Sequence, residues 1–420
     1  MPEAVIVDAI RTPIGRAAKG SLKSLRADDL AAIPLRALIE RNPQLEASSI
    51  GDVMMGCGYG EGEQGYNVGR LALLLAGIDH HVPGTTVNRF CASSLQTTRM
   101  AFHAIKAGEG DTYIAAGVEA VSRTGRGGAR FELNPRLDGS EGALFDAYIS
   151  MGMTAENVAD RCKVTREQQD EWAVISQSRA VDARDSGHFD REIVAVDTPA
   201  AKETDKEGNE VDLPETVVGK DDGPRPGTTM EKLAALKPAF DRKSGRGTLT
   251  AGNSSPLTDG AAAVWIATDE GLSRLPGKPA RARLIDFEMG AVDVFREGLL
   301  MAPVAAIPRI LARQGLRYED IALWEIHEAF AAQVLCNVKA LEDEGYVREK
   351  AAVPHTFGPF PRDRVNPNGG SVAIGHPFGA TGARILSQSL RELAVMPPGS
   401  RAVVSVCADG GEGTVALLQT

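Results

Sequence analysis

The sequence predicts an α/β fold made of two copies of one strand–helix–strand unit, with a separate region inserted in the first copy. Three observations predict it. Short β-branched runs alternate with segments of helical period, the pattern of a sheet covered by helices. The tetrapeptide Ala31-Ala32-Ile33-Pro34 recurs as Ala305-Ala306-Ile307-Pro308 at the same place in both patterns. Between about residues 122 and 249 the alternation stops. The expected division is 1–121 plus 250–272, an inserted loop domain over 122–249, and 273–420.

In the first copy, Val5-Ile6-Val7 reads as a strand ending at Asp8. A helix is expected over Leu30–Arg41, with Asp28 and Asp29 as its capping candidates, then a strand at Asp52–Gly56. Cys91–Ala107 reads as a helix, with Leu95, Met100 or Arg99, Phe102 and Ile105 on one buried face, followed by a strand at Thr112–Ala116. The second copy repeats this order with Leu284–Gly290, the helical Val304–Ala312, Ala322–Ile326, the helical Ala380–Leu393 and the strand Arg401–Val406. Helices between strands favour a largely parallel sheet. The inserted region holds a basic run, Arg123–Arg130, an amphipathic stretch, Arg166–Gly187, and a polar run, Asp197–Asp222; it reads as helix and surface loops.

The 420 residues carry 46 basic and 56 acidic side chains, 43% hydrophobic residues and a net charge of −10. That composition is globular, and its acidic balance argues against nucleic acid or an anionic membrane surface as a partner. No apolar run approaches the roughly 18 residues of a membrane span, and Met1-Pro2-Glu3-Ala4 does not begin a signal peptide. A cytoplasmic protein without membrane insertion is expected. The five cysteines show no CxxC spacing, so neither a disulfide framework nor a metal site is read from them.

Forty-five glycines are many for this length, and they cluster at Gly56–Gly65, Gly125–Gly128, Gly369–Gly382 and Gly410–Gly413. Such clusters serve tight turns or bring backbone N–H groups to a ligand. Gly60–Gly65 spells GxGxxG, but Glu61 and Glu63 would repel a pyrophosphate. No Walker loop, HExxH helix or GxSxG elbow occurs.

Four segments place reactive side chains beside turns: Val87–Leu95 with Cys91, His327–Gln333 after a strand, Gly369–Gly382 with His376, and Val406–Gly413 with Cys407. At the start of a helix the macrodipole favours a thiolate at Cys91. Each residue taken singly could simply fill a core. Two cysteines and two histidines together at strand-end turns suggest chemistry.

These residues resemble the thiolases, acyl-CoA C-acyltransferases, over nearly the whole chain. Asn88-Arg89-Phe90-Cys91-Ala92-Ser93-Ser94 is similar to the family's nucleophile segment, Gly375–Gly382 to its GHPxGxxG signature, and Cys407–Gly413 to the loop of its second cysteine. Met151–Asn157, Leu236–Phe240 and Thr250–Ser255 stand in the family's order. The resemblance implies a thiolase fold, a duplicated five-layered α/β/α/β/α core. It implies ping-pong thiolysis of a 3-oxoacyl-CoA, or the reverse condensation, with Cys91 as nucleophile, His376 as its base and Cys407 as the acid or base at the α-carbon. One oxyanion hole would use His376 with a water, the other the backbone N–H groups of Cys91 and Asp409. Arg225, Ser255 and the Ala329–Phe330 backbone would contact coenzyme A, a substrate here, with no other cofactor and no metal.

Three residues depart from the family pattern. Asp409 stands where most thiolases have glycine, and Asp tolerates a positive φ if one is needed there. His327 replaces the Asn that holds the catalytic water, as in the β-subunits of fatty-acid oxidation complexes, and Ser150 replaces a His frequent in short-chain enzymes. His327 leaves a hydratase/dehydrogenase partner open beside the homodimer or homotetramer that the family implies. Arg123, Arg126 and Arg130 fit a solvated or subunit-contact loop as well as phosphate binding. Cys407 argues against a decarboxylating ketosynthase. Cys91, His376 and Cys407 together argue against a non-catalytic acyl-CoA or lipid-binding relative. Short-chain acetoacetyl-CoA synthesis stays as the alternative role.

Overall fold

The structure, a computed structural model, describes residues 2–44, 46–124, 132–204, 210–273 and 281–420. In the first half, β1 (Ala4–Arg11) and a short β2 (Gly15–Arg16) lead to α1 (Ala27–Arg41), β3 (Val53–Gly56), α2 (Val68–Leu75), β4 (Gly84–Val87), α3 (Ser93–Ala107) and β5 (Thr112–Ala120). The chain then leaves the sheet for α4 (Met151–Cys162) and α5 (Arg166–Asp185). Small strands β6 (Val196–Thr198), β7 (Ala201–Thr204), β8 (Glu210–Leu213) and β9 (Thr216–Val218) follow, then α6 (Met230–Ala234). It returns as β10 (Thr258–Thr268) and α7 (Asp269–Ser273). The second half comprises β11 (Ala282–Ala291), α8 (Ala302–Arg313), β12 (Leu323–Ile326), α9 (Ala331–Leu341), α10 (Glu344–Ala351), α11 (Ser371–Ile374), α12 (Thr381–Leu393), β13 (Arg401–Ala408) and β14 (Glu412–Gln419).

Strand order makes the duplication explicit. The path runs β12-β13-β14-β11-β1-β10-β5-β3-β4. Read outward from the centre, β1-β10-β5-β3 in one half matches β11-β14-β13-β12 in the other, and β3/β5 and β12/β13 are the matching parallel pairs. The repeated Ala-Ala-Ile-Pro places a buried proline, Pro34 or Pro308, inside each of the equivalent helices α1 and α8. The halves meet where β1 and β11 pair over three residues, Ala4 to Ile6.

The expectation of a largely parallel sheet is corrected: β1/β10, β1/β11, β5/β10, β11/β14 and β13/β14 are all antiparallel. The reason is local at β13, which turns through Asp409–Gly411 straight into β14. So short a connection permits only an antiparallel partner.

Alternating residues face different layers. Met55 and Val53 lie with Leu30, Leu35 and Val68 under α1 and α2, whereas Met54 faces the centre. Likewise Val403 packs with Ile307, Ile310 and Val334 under α8 and α9, while Val404 faces the centre. Between the two halves of this sheet lie α3 and α12, packed on each other with Leu95, Phe102, Ile105, Ile385, Leu386 and Leu390. This is the five-layered α/β/α/β/α order.

The expected single buried face of the Cys91 helix is also corrected. In the middle layer α3 buries ten residues, including Ser93, Ser94, Thr97 and Thr98. Their hydroxyls are satisfied locally, Thr97 and Thr98 donating to Ser94 O at 2.9 Å. Helix α12 comes so close that a Cβ on Gly382 would sit 2.5 Å from Leu95 N. Helix α3 itself starts at Ser93, and Cys91 sits in the 3-10 turn Phe90–Ala92 before it. Helix α1 starts at Ala27, its N–H capped at 3.1 Å by Glu63, and Asp28 and Asp29 lie in its first turn. No described helix is long and apolar enough to cross a membrane.

Candidate active site

The two halves deliver their turns to one buried spot. Cys91 comes from the turn before α3, His376 from the loop before α12, His327 from the end of β12 and Cys407 from the end of β13. Phe90, immediately before Cys91, has φ 42, a conformation that a side chain resists. It is held by its N–H to Asn88 Oδ1 at 2.8 Å and by Ser93 Oγ, which donates to Phe90 O at 2.6 Å.

Cys91 Sγ lies 3.1 Å from His376 Nε2. On the other side of the ring, Nδ1 lies 2.7 Å from Thr381 Oγ1, and that hydroxyl donates its one proton to Pro377 O at 3.0 Å. Nδ1 must therefore carry the ring proton, which leaves the Nε2 lone pair facing the thiol. Donor atoms of Cys91, His327 and His376 all lie within 4.8 Å of one another. The two imidazoles are 4.2 Å apart between centroids.

Burial controls the charges. It raises the Cys91 thiol well above its ordinary value, reinforced by Cys407, Asp409 and Glu119, and it overrides the helix-dipole expectation of a favoured thiolate. Burial, with Arg384 nearby, pushes His376 down to about 3. His327 is held well below its ordinary value by burial, then by His376 and Arg384. Burial thus favours a neutral thiol facing a neutral imidazole.

Cys407 is buried, and its thiol is pushed up to about 12 by desolvation. Strand β13 packs on the Phe90–Ala92 turn. Arg89 ties the two loops together by donating to Glu412 Oε1 at 2.8 Å. At Asp409 the question of backbone strain is answered: the positive φ values fall on Gly410 (76) and Gly411 (77), not on Asp409. Its carboxylate accepts from Gly410 N at 2.6 Å, and burial raises its pKa.

Of the residues expected at coenzyme A, three come together. Ser255 donates from N and Oγ to Ala329 O at 3.1 and 2.8 Å, and Phe330 bridges Ser254. Arg225 is exposed on a separate loop before α6, where its N–H donates to Gln177 Oε1 at 2.8 Å. Arg123 is engaged by Glu63; Arg126 and Arg130, with the Gly125–Gly128 cluster, lie outside the described residues. Ser150 caps α4, accepting from Met153 N at 3.4 Å.

Sequence reasoning missed the carboxylates that hold these loops. Glu119, fully buried on β5, accepts from Gly58 N at 2.8 Å, Tyr59 N at 3.2 Å, Gln64 Nε2 at 2.5 Å and Gly379 N at 2.9 Å. One carboxylate thereby fixes the Gly56–Gly65 turn and the loop after His376. An acidic residue inside the otherwise apolar Thr112–Ala120 was the signal for it. Glu328 does the same between the insertion and the second half, accepting from Trp172 Nε1, Ser176 Oγ, Asn366 Nδ2 and Val372 N.

A buried thiol facing an imidazole lone pair, a second buried thiol and a cradle of backbone turns are an arrangement that suits cysteine-dependent acyl transfer. The family follows from comparison. Residues 4–270 match the thiolase N-terminal domain and residues 278–420 the thiolase C-terminal domain, so the chain belongs to the thiolase family. It is 41% identical to a beta-ketoadipyl-CoA thiolase of Acinetobacter baylyi over 100% of both chains. It is 39% identical to a 3-ketoacyl-CoA thiolase of Pseudoalteromonas translucida, over 100% of this chain and 99% of the other. The dimeric peroxisomal thiolase of Saccharomyces cerevisiae superposes with a TM-score of 0.82 at 32% identity, over 100% of this chain and 97% of that one. The protein is an acyltransferase that cleaves 3-oxoacyl-CoA with coenzyme A.

Proposed function

We propose that Cys91, His376 and Cys407 run this cleavage as a ping-pong reaction through an acyl-Cys91 intermediate. The observation that carries the assignment is the 3.1 Å contact between Cys91 Sγ and a His376 Nε2 whose lone pair is aimed by Thr381. His376 takes the thiol proton as sulfur attacks C3 of the 3-oxoacyl-CoA. The C2–C3 bond breaks, and the acetyl-CoA carbanion takes a proton from Cys407. His376 passes the proton it took from Cys91 to the Cys407 thiolate and then accepts the thiol proton of coenzyme A as that sulfur attacks the acyl carbonyl carbon; the bond to Cys91 sulfur breaks, and His376 returns the proton to the Cys91 thiolate. Backbone N–H groups of Cys91 and Asp409 hold one oxyanion; a water with His376 holds the other, and His327 holds that water. Arg225 is assigned to the phosphates of coenzyme A, with Ser255, Ala329 and Phe330 lining the pantetheine.

The names of the relatives point to 3-oxoadipyl-CoA, whose chain ends in a carboxylate, and to 3-oxoacyl-CoA in general. Rates on 3-oxoadipyl-CoA, acetoacetyl-CoA and a long-chain 3-oxoacyl-CoA decide among them. A strong preference for acetoacetyl-CoA would favour the synthetic short-chain role. The dimeric yeast structure and the open edge of β4 support a homodimer. His327 makes association with a hydratase/dehydrogenase worth testing by co-purification.

The mechanism is tested by mass spectrometry of protein mixed with a simple acyl-CoA. Wild type should gain one acyl group on Cys91, and Cys91→Ala should gain none and lose thiolysis. Cys407→Ala should still acylate but lose exchange of the acetyl α-protons. Acylation at another residue would refute the assignment.

A further inference from the structure

A second pair of cysteines lies outside this site, where helices α4 and α9 pack together. Cys336, completely buried on α9, places Sγ 3.4 Å from Val158 O on α4. Val158 is one turn before Cys162, so it and Cys162 share a face of α4. From the other side, Lys339, one turn after Cys336, donates from Nζ to Cys162 O at 2.6 Å. These two contacts bracket the cysteines on facing turns of α4 and α9.

Their environments differ as an attacking and a resolving thiol should. Cys162 is partly exposed at the last turn of α4; Cys336 is sealed in the core under α9. Cys336, with Lys339 and Arg161 nearby, pushes Cys162 down to about 7 against the effect of burial. Cys162, and burial, raise Cys336. Neither thiol has a part in the acyl transfer.

We propose that Cys162 and Cys336 form an oxidation site for hydroperoxides, closing to a disulfide that clamps α4 to α9. The Cys162 thiolate attacks one peroxide oxygen; the O–O bond breaks, the hydroxide or alkoxide leaves and takes a proton, and Cys162 becomes a sulfenic acid. Cys336 then gives up its proton and attacks the Cys162 sulfur; the S–O bond breaks, water leaves and the S–S bond forms. Two thiols lose two electrons and two protons, and one hydroperoxide becomes an alcohol or water, plus water.

The clamp bears on the active site because of what each helix carries. Helix α4 begins at Met151, in a segment that resembles the family's, and α9 begins directly after Phe330. A covalent tie at the last turn of α4 therefore fixes that helix to the one that follows Phe330, part of the wall assigned to the pantetheine.

The test treats the reduced full-length protein with one equivalent of hydrogen peroxide, alkylates the remaining thiols and digests without reductant. Wild type should yield one peptide pair joined through Cys162 and Cys336, two hydrogens lighter than the separate peptides, and dithiothreitol should separate it. Cys162→Ser should leave Cys336 reduced, with thiolysis within about twofold of wild type. Cys336→Ala should carry Cys162 on to sulfinic acid, since nothing resolves it. The proposal fails if both cysteines of wild type are alkylated after ten equivalents of peroxide. It also fails if wild-type Cys162 over-oxidises without forming the linked pair.

Discussion

His327 Nδ1 lies 3.0 Å from Ser371 Oγ, and the same oxygen accepts from Arg384 Nη2 at 2.9 Å. With Arg384 occupying one lone pair, the serine proton is free to go to Nδ1, which puts the ring proton of His327 on Nε2. That Nε2 is buried without a hydrogen-bond partner. Thr381 sets the opposite tautomer in His376, so two neighbouring imidazoles present a donor and an acceptor. Thr381→Val should release the His376 ring and lower kcat by about 10²-fold with little change in KM, while Thr381→Ser should recover most of the rate. Steady-state kinetics on one 3-oxoacyl-CoA check this. Equal loss in both variants would show that the hydroxyl does not orient the ring.

At the scale of elements, turns are held against strands by contacts that leave no room for a side chain. A Cβ on Gly117, in the middle of β5, would lie 2.1 Å from Gly379 O, in the loop that follows His376. Gly117→Ala should push that loop away and cost about 1–3 kcal/mol of stability. Activity should fall further than the unfolding midpoint alone explains, because Glu119 holds the same loop. Urea unfolding and thiolysis measured together separate the two effects.

The sequence pattern carried much of this level. The repeated Ala-Ala-Ile-Pro marked equivalent helices, and Cys91, His376, Cys407 and His327 were legible because each stands beside glycines or a strand end. Strand direction was not legible, since a helix before a strand says nothing about the hairpin after it. The roles of Glu119, Glu328, Thr381 and Ser371 were hidden for another reason. Their partners lie tens to hundreds of positions away, and no local period records such contacts.

For the whole molecule, buried ionisable groups couple stability to pH. Glu325 on β12 and Glu392 on α12 are both fully buried, and Glu325 Oε1 and Glu392 Oε2 have no hydrogen-bond donor unless a proton lies between the two carboxyls. Burial raises Glu392 to about 7 and also raises Glu325. A carboxyl whose folded pKa lies above its unfolded value contributes stability below the ordinary carboxylate range and loses it as pH rises through about 7. Glu392→Gln cannot ionise and should therefore gain stability relative to wild type between about pH 5.5 and pH 8, by on the order of 3 kcal/mol at most. Chemical denaturation at both pH values checks the sign. A relative gain toward acid would mean that the pair carries no shared proton.

The matching of β1-β10-β5-β3 to β11-β14-β13-β12 has a consequence for how many reaction centres a chain can hold. Cys91 lies just before α3 and His376 just before α12, and those two helices are counterparts packed on one another between the sheets. The proposed nucleophile and its proposed base thus occupy nearly corresponding places in the two copies, on either side of a rough internal dyad. An unmodified dyad would set like against like, two thiols or two imidazoles, and neither pair joins a sulfur nucleophile to a nitrogen base. Acyl transfer needs the copies to be unequal, and one chain therefore has one site, although its architecture is written twice.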